Sequence, residues 1–120
     1  MINKIYEISE GDKLYPEKLL KIKDRPNKIY AVGNVNLLKN KAVAIVGSRI
    51  STPYGEHYAA KFAKEIAQKG ITIVSGLAKG IDTTAHENSK KEKGKTIAVL
   101  GCGFNHIYPI ENDDLFNSII

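Results

Sequence analysis

A single cysteine, Cys102, and no tryptophan stand among the 120 residues. One thiol excludes an internal disulfide, so the fold has to be held by packing and hydrogen bonds alone. No apolar run approaches the roughly 18 residues that a membrane span needs. The opening MINKIYEISEGDK mixes acids, lysines and polar residues where a signal peptide carries an apolar core, and the expected compartment is the cytoplasm. Arginine is scarce as well. All but two of the 18 basic residues are lysine, which leaves Arg25 and Arg49 as the places where a planar fork of donors is available. Acidic residues are outnumbered, 13 against 18, for a net charge of +5. The excess is concentrated in residues 1–41, with nine basic and five acidic groups, against nine and eight in residues 42–120. That balance suits a polyanionic partner. Gly-x-Ser-x-Gly, His-Glu-x-x-His and a carboxylate pair with obvious chemistry are all missing. His57 and His106 have no metal-ligand spacing with a carboxylate or with Cys102. The expectation is a binding protein with no catalytic residue, no metal site and no cofactor.

What the chain does have is a set of short β-branched apolar runs, each ending at glycine: Ala42–Gly47, Ile71–Gly76 and Thr96–Gly101. They are near-continuously apolar, as strands covered on both faces read. Their closing glycines lie 29 and 25 residues apart, room for a strand, a turn, a helix and a return. This is the rhythm of a βαβαβ unit with a parallel sheet. Between the first two runs, Thr52-Pro53 reads as an N-cap followed by proline at the first helical position, and Gly70 as the stop. Tyr58, Phe62 and Ile66, beside Ala59, Ala63 and Ala67, predict one apolar face. Asp82 predicts the N-cap of a second helix running to about Lys93 and closed by Gly94. That helix is poor in large apolar groups and is expected to be partly exposed. Residues 1–41 form a separate block, with a short helix entered at Pro16, a turn at Asp24-Arg25-Pro26 and a strand near Lys28–Asn34. At the far end, Asp113 to Ile120 reads as the start of a helix.

Crossovers keep parallel strands aligned, so all three glycine turns should converge at one edge of the sheet. In the first, Gly47 lets the backbone approach a ligand, Ser48 offers a hydroxyl and Arg49 a fork that matches phosphate. Taken alone, the same tripeptide also reads as a turn with a surface arginine. In the second, Gly76 and Gly80 flank Lys79, a mobile charge, although a flexible connection reads the same way. In the third, Gly101 and Gly103 surround Cys102, and Phe104 either stacks on a base or packs at the edge of the core. Asp82 and His86 share a helical face, consistent with a capping acid and a packed histidine.

The succession Ala42–Arg49 with Ser51 and Tyr54-Gly55 resembles the opening motif of the bacterial DNA-processing protein DprA (Smf) family. Ile73–Ala78 with Gly80-Ile81-Asp82 and Ala85-His86, then Thr96–Gly101 with Gly103, Tyr108-Pro109 and Asn112, are similar to its later motifs. Upstream, Tyr15-Pro16, Leu19-Leu20, Asp24, Pro26 and Gly33-Asn34 fit as well. The resemblance implies a Rossmann-like domain over residues 42–120, preceded by a helix/strand extension over residues 1–41. It implies sequence-independent binding of single-stranded DNA during natural transformation and loading of the recombinase RecA, without enzymatic activity. Arg49, with Gly47 and Ser48, then belongs to a basic phosphate pocket, joined by the glycines and Lys79 of the second turn. Family members continue with the rest of the sheet, a further arginine motif and the surface for dimerisation and RecA contact, so the chain reads as truncated. The exposed edge of an open sheet favours a homodimer. The competing reading is a Rossmann-like nucleotide-binding protein or nucleoside-phosphate hydrolase. The Pro-Gly-Gly-x-Gly-Thr turn and downstream glutamate of that look-alike are absent.

Overall fold

The computed structural model describes residues 2–120. Backbone contacts divide it into two compact units, one made of the residues up to Asn40 together with Ile120, the other of residues 41–119. In the first unit, β1 (Tyr6–Ser9) and β2 (Lys28–Ala31) pair antiparallel, with Tyr6 opposite Ala31 and Ser9 opposite Lys28. Strand β1 is not among the elements expected from the sequence. Between the strands, Pro16 opens a 3-10 helix, Glu17–Lys21. Tyr15 is buried, and its hydroxyl donates to the Pro26 carbonyl at 2.6 Å, which satisfies the one polar atom of an otherwise apolar ring. A second 3-10 helix, Val35–Lys39, is capped by the Asn34 side chain. Arg25 pairs with Glu10 and also donates to the Ile22 carbonyl, so one of the two arginines is committed to local structure.

The second unit runs β3 (Ala42–Ala44), α1 (Pro53–Gln68), β4 (Thr72–Ser75), α2 (Ile81–Lys91), β5 (Thr96–Ala98), a 3-10 turn (Ile110–Asn112) and α3 (Asp113–Ile119). The strands lie in the order β3-β4-β5 and all pair parallel. Ile73 of the central strand stands opposite Val43 on one side and Thr96 on the other. This is a Rossmann-like α/β arrangement, and its strands are shorter than the apolar runs that announce them. Helices α1 and α2 touch each other and both touch β4, which places them on one face of the sheet. Ala63, Ile73 and Ala85 form the core there, with Ile45 and Ile66 packed against them. Full burial of a side chain the size of Ile73 contributes roughly 2 kcal/mol.

Helix α1 begins and ends where its sequence says it should. The Thr52 hydroxyl accepts from the Gly55 N–H at 3.0 Å, Pro53 occupies the first turn, and Gly70, at φ +77°, takes the chain out of the helix. Its buried face is narrower than the expected one, keeping the alanines and Ile66 and leaving the rings outside. Ala59, Ala63 and Ala67 are buried, whereas Tyr54 and Phe62 are 74% and 52% exposed, each in a tilted ring contact with Tyr58. Alanines let α1 approach β4 and α2 closely, and large rings in that position would hold the layers apart.

Helix α2 is also more buried than its composition suggests. Its inner face consists of Ala85 and three polar residues, Asp82, His86 and Ser89, which enter the interior because each finds a partner. The left-handed residue at its end is Lys93. Gly94 is needed for closeness instead, because a Cβ there would stand 2.5 Å from that of Ala67. Only β4 is covered in the way the apolar runs predict. Val46 after β3 and Val99 after β5 are 68% and 63% exposed, because those strands are the edges of the three-stranded sheet.

Candidate functional site

Two of the three glycine turns are clamped together. The loop after β3 continues the ladder for one residue, Ile45 N–H donating to the Val74 carbonyl, and then turns at Gly47. There the Ser48 hydroxyl donates to the Ile50 carbonyl at 2.8 Å and accepts from the Ile50 N–H at 3.2 Å. The second turn lies directly beneath. The Ile81 N–H donates to the Ser48 carbonyl at 3.2 Å, and a Cβ on Gly80 would collide with that same oxygen. With φ at +81° as well, only glycine fits at position 80.

Asp82 joins the two turns. It is buried, with Oδ1 accepting from the Gly47 N–H at 3.3 Å and Oδ2 from the Gly76 N–H at 3.1 Å. The expected N-cap role is therefore corrected. Gly80 is the cap residue, and Asp82 lies inside the first turn of α2. The leading donors of the helix are satisfied by loop carbonyls, Ile81 by Ser48 and Thr83 by Ala78, so the carboxylate is free to reach across. The N–H groups of Gly47 and Gly76, expected to meet a ligand, are thus taken internally. Those of Ser48, Arg49, Ala78 and Lys79 have no hydrogen-bond partner among the described residues.

The second turn is fixed from two further directions. Leu77, fully buried, holds φ at +62°, a conformation that costs a branched residue roughly 1–2 kcal/mol. Its N–H donates to His86 Nε2 at 3.2 Å, and its carbonyl accepts from Asn112 Nδ2 at 2.9 Å. Asn112 also donates to Thr83 Oγ1 at 2.8 Å. On the other side of the ring, His86 Nδ1 lies 2.7 Å from Thr96 Oγ1, whose own proton goes to the Ile73 carbonyl at 2.9 Å. Thr96 must then accept from His86, which assigns the neutral Nδ1–H tautomer. Burial depresses the imidazole to about 4, against the pull of the Asp82 carboxylate, which favours the charged form.

Two cations belong to these turns, and they differ. The Arg49 side chain is exposed and has no hydrogen-bond or ion-pair partner among the described residues. Lys79 is exposed but paired with Glu111 at 2.7 Å, and the hydrogen bond and attraction between them raise the ammonium and lower the carboxyl. The third turn leaves the sheet beside the second, with the Val99 N–H donating to the Ser75 carbonyl at 2.9 Å. Gly101 and Gly103 border open space, while Cys102 and Phe104 are half-buried. The structure thus brings Gly47, Ser48, Arg49, Gly76 and Gly80 into one cluster, with Lys79 at its margin and Gly101, Gly103 and Phe104 in the neighbouring loop. Sequence reasoning missed the cross-turn part of Asp82 and the clamp from His86 and Asn112. The four-residue spacing of Asp82 and His86 was the one local signal, and nothing near Asn112 points back to Leu77. Among the described residues no group of His, Cys, Asp or Glu could hold a metal ion, and no helix is long and apolar enough to cross a membrane.

Residues 7–120 match the model of the family described as DNA recombination-mediator protein A. The chain is 47% identical over 109 residues to the DNA processing protein DprA of Bacillus subtilis (strain 168), covering 90% of this chain and 37% of that protein. It is 38% identical over 113 residues to the protein Smf of Escherichia coli (strain K12), covering 94% and 30%. The chain therefore spans about a third of the length of these curated relatives. Among solved structures, DprA from Streptococcus pneumoniae superposes with a TM-score of 0.89 at 40% identity, over 98% of this chain and 41% of that one. DprA from Helicobacter pylori, solved to give insight into its single-stranded DNA binding mode, superposes with a TM-score of 0.80 at 34% identity, over 97% and 51%.

Proposed function

This chain belongs to the DNA recombination-mediator protein A family, and we propose that it binds single-stranded DNA through the sugar-phosphate backbone, without reading sequence and without catalysis. The observation that carries the reading is Arg49, an exposed guanidinium without a partner among the described residues, on a turn whose neighbouring N–H groups are likewise unpaired among them. A fork of five donors beside free amides is a phosphate site by chemistry. Gly47, Gly76 and Gly80 serve it by allowing the turns to lie against each other. Ser48, Lys79 and the third turn, with Gly101, Gly103 and Phe104, extend it along a strand of nucleotides. Phosphate contacts position a nucleic acid and carry no sequence information, which fits a partner taken up regardless of sequence. In the whole protein we place this activity in the cytoplasm, in natural transformation and recombination, with RecA and a second copy of the chain as partners.

The test is fluorescence anisotropy with labelled oligo(dT) at several salt concentrations. Binding should weaken steeply with salt, and Arg49→Ala should reduce affinity about tenfold and lower the salt slope by roughly 0.7, the share of one single-strand phosphate contact. Absence of binding at low salt, or an unchanged slope in Arg49→Ala, overturns the reading. Stabilisation by a nucleoside monophosphate but not by the oligonucleotide would point instead to a nucleotide site.

A further inference from the structure

We propose that Asp82 is the positioning residue of this interface, its one carboxylate holding the first and second turns at the spacing at which Arg49 and the free amides act together. The consequence for DNA rests on the proposed function; the geometry of the clamp does not. Each oxygen of Asp82 serves a different turn, Gly47 at 3.3 Å and Gly76 at 3.1 Å, and those turns follow different strands, β3 and β4. At the roots of the turns the Ser75 hydroxyl donates to the Ile45 carbonyl at 2.6 Å, and further out the Ile81 N–H donates to the Ser48 carbonyl. Asp82 is the side chain that holds both glycine amides, at Gly47 and Gly76, among the described residues.

Two simpler accounts of a buried acid at this position fail. It does not cap α2, because Gly80 is the cap residue and makes no side-chain bond. Nor does it serve His86, whose two ring nitrogens are occupied by Leu77 and Thr96. Both oxygens of this buried carboxylate face N–H donors, and the group lies in the first turn of α2, where oriented backbone N–H dipoles gather. Two acceptor oxygens are needed for both bonds. Asparagine offers one acceptor oxygen, and its amide nitrogen would face the second N–H with hydrogen against hydrogen.

The arrangement also settles how an acid can stand beneath a polyanion. Its two oxygens are engaged inward with Gly47 and Gly76. The amides one or two residues further on, at Ser48, Arg49 and Ala78, are the ones left for phosphate.

Amide hydrogen exchange on the unaltered chain is the first measurement. Gly47 and Gly76 lie in loops, yet their amides should exchange at least about tenfold more slowly than those of Ser48 and Ala78. Equal rates overturn the clamp. The second is Asp82→Asn assayed with labelled oligo(dT), where binding should weaken about tenfold while the amide resonances of β4 stay in place. Affinity within twofold of the unaltered chain overturns the proposal. In an Arg49→Ala background the same substitution should cost distinctly less, because both residues act through one grip; an equal cost in both backgrounds also overturns it. Should Asp82→Asn fail to fold, the exchange pattern alone decides. Should the unaltered chain bind no oligonucleotide, the proposed function falls and the exchange pattern still decides the clamp.

Discussion

Acidification should destabilise this protein through one buried ring. His86 is fully buried and neutral, with Nδ1–H donated to Thr96 and Nε2 accepting from Leu77. Its value falls from 6.5 to about 4 on burial, whereas in the unfolded chain it keeps the ordinary value. The sign follows directly. Above pH 6.5 neither state binds the proton and nothing is lost; below it the unfolded chain takes up a proton that the native ring refuses. Stability therefore declines as pH falls from about 6.5 towards about 4, approaching a slope of about 1.4 kcal/mol per pH unit. By pH 5 the loss from this group alone is about 2 kcal/mol, and roughly 3 kcal/mol once the native ring is protonated. Against a total of about 5–15 kcal/mol for a small domain, that is measurable by urea unfolding followed by circular dichroism at pH 7.5, 6 and 5. His86→Gln removes the titrating group, so its stability should fall much less over the same interval. A carbon-bound ring proton of His86 that keeps its neutral shift down to pH 5 is the direct check. Parallel decline of both proteins, or titration of the native ring near 6.5, would refute the reasoning. Protonation at Nε2 would also set two donors against each other at Leu77, so acid loosens the second turn before it unfolds the chain.

Two further outcomes follow from contacts at the margin of the site and in the core. Glu111→Gln releases Lys79 from its ion pair and removes a negative charge beside the proposed path, so oligo(dT) should bind about two- to threefold more tightly at low salt, an advantage that fades as salt rises. Unchanged or weaker anisotropy would place Lys79 off the path of the nucleic acid. Thr72 is fully buried, and its hydroxyl finds no partner among the described residues. Thr72→Val, of nearly the same shape, should therefore stabilise the protein by about 1–2 kcal/mol in thermal or urea unfolding, and a loss of stability would reveal a partner for that hydroxyl.

Much of the second unit was legible because its signals are local. Thr52-Pro53 and Gly70 delimit α1 through cap chemistry that needs no tertiary information, and the three apolar runs mark parallel strands by their continuity. What stayed hidden depends on neighbours distant in the chain. Periodicity groups Tyr58 with Phe62 and Ala59 with Ala63, but which group turns inward depends on how closely β4 and α2 approach. An aspartate at the start of a helix has the same sequence signature whether it caps its own backbone or bridges two turns, so Asp82 could be placed but not understood. Asn112 meets Leu77 across 35 positions of sequence, beyond any pattern of spacing. Strand β1 has four residues, only one of them buried, too little for alternation to show.

Strand β3 is bonded to β4 and to no other strand among the described residues. The guanidinium at position 49 is thus carried at the end of a cantilever, anchored along one flank among the described residues. Fraying of that short ladder would cost few bonds, and it would displace the cationic tip while leaving the rest of the sheet intact. The cross-brace from α2, reaching the root of the cantilever at Gly47, is what opposes that fraying.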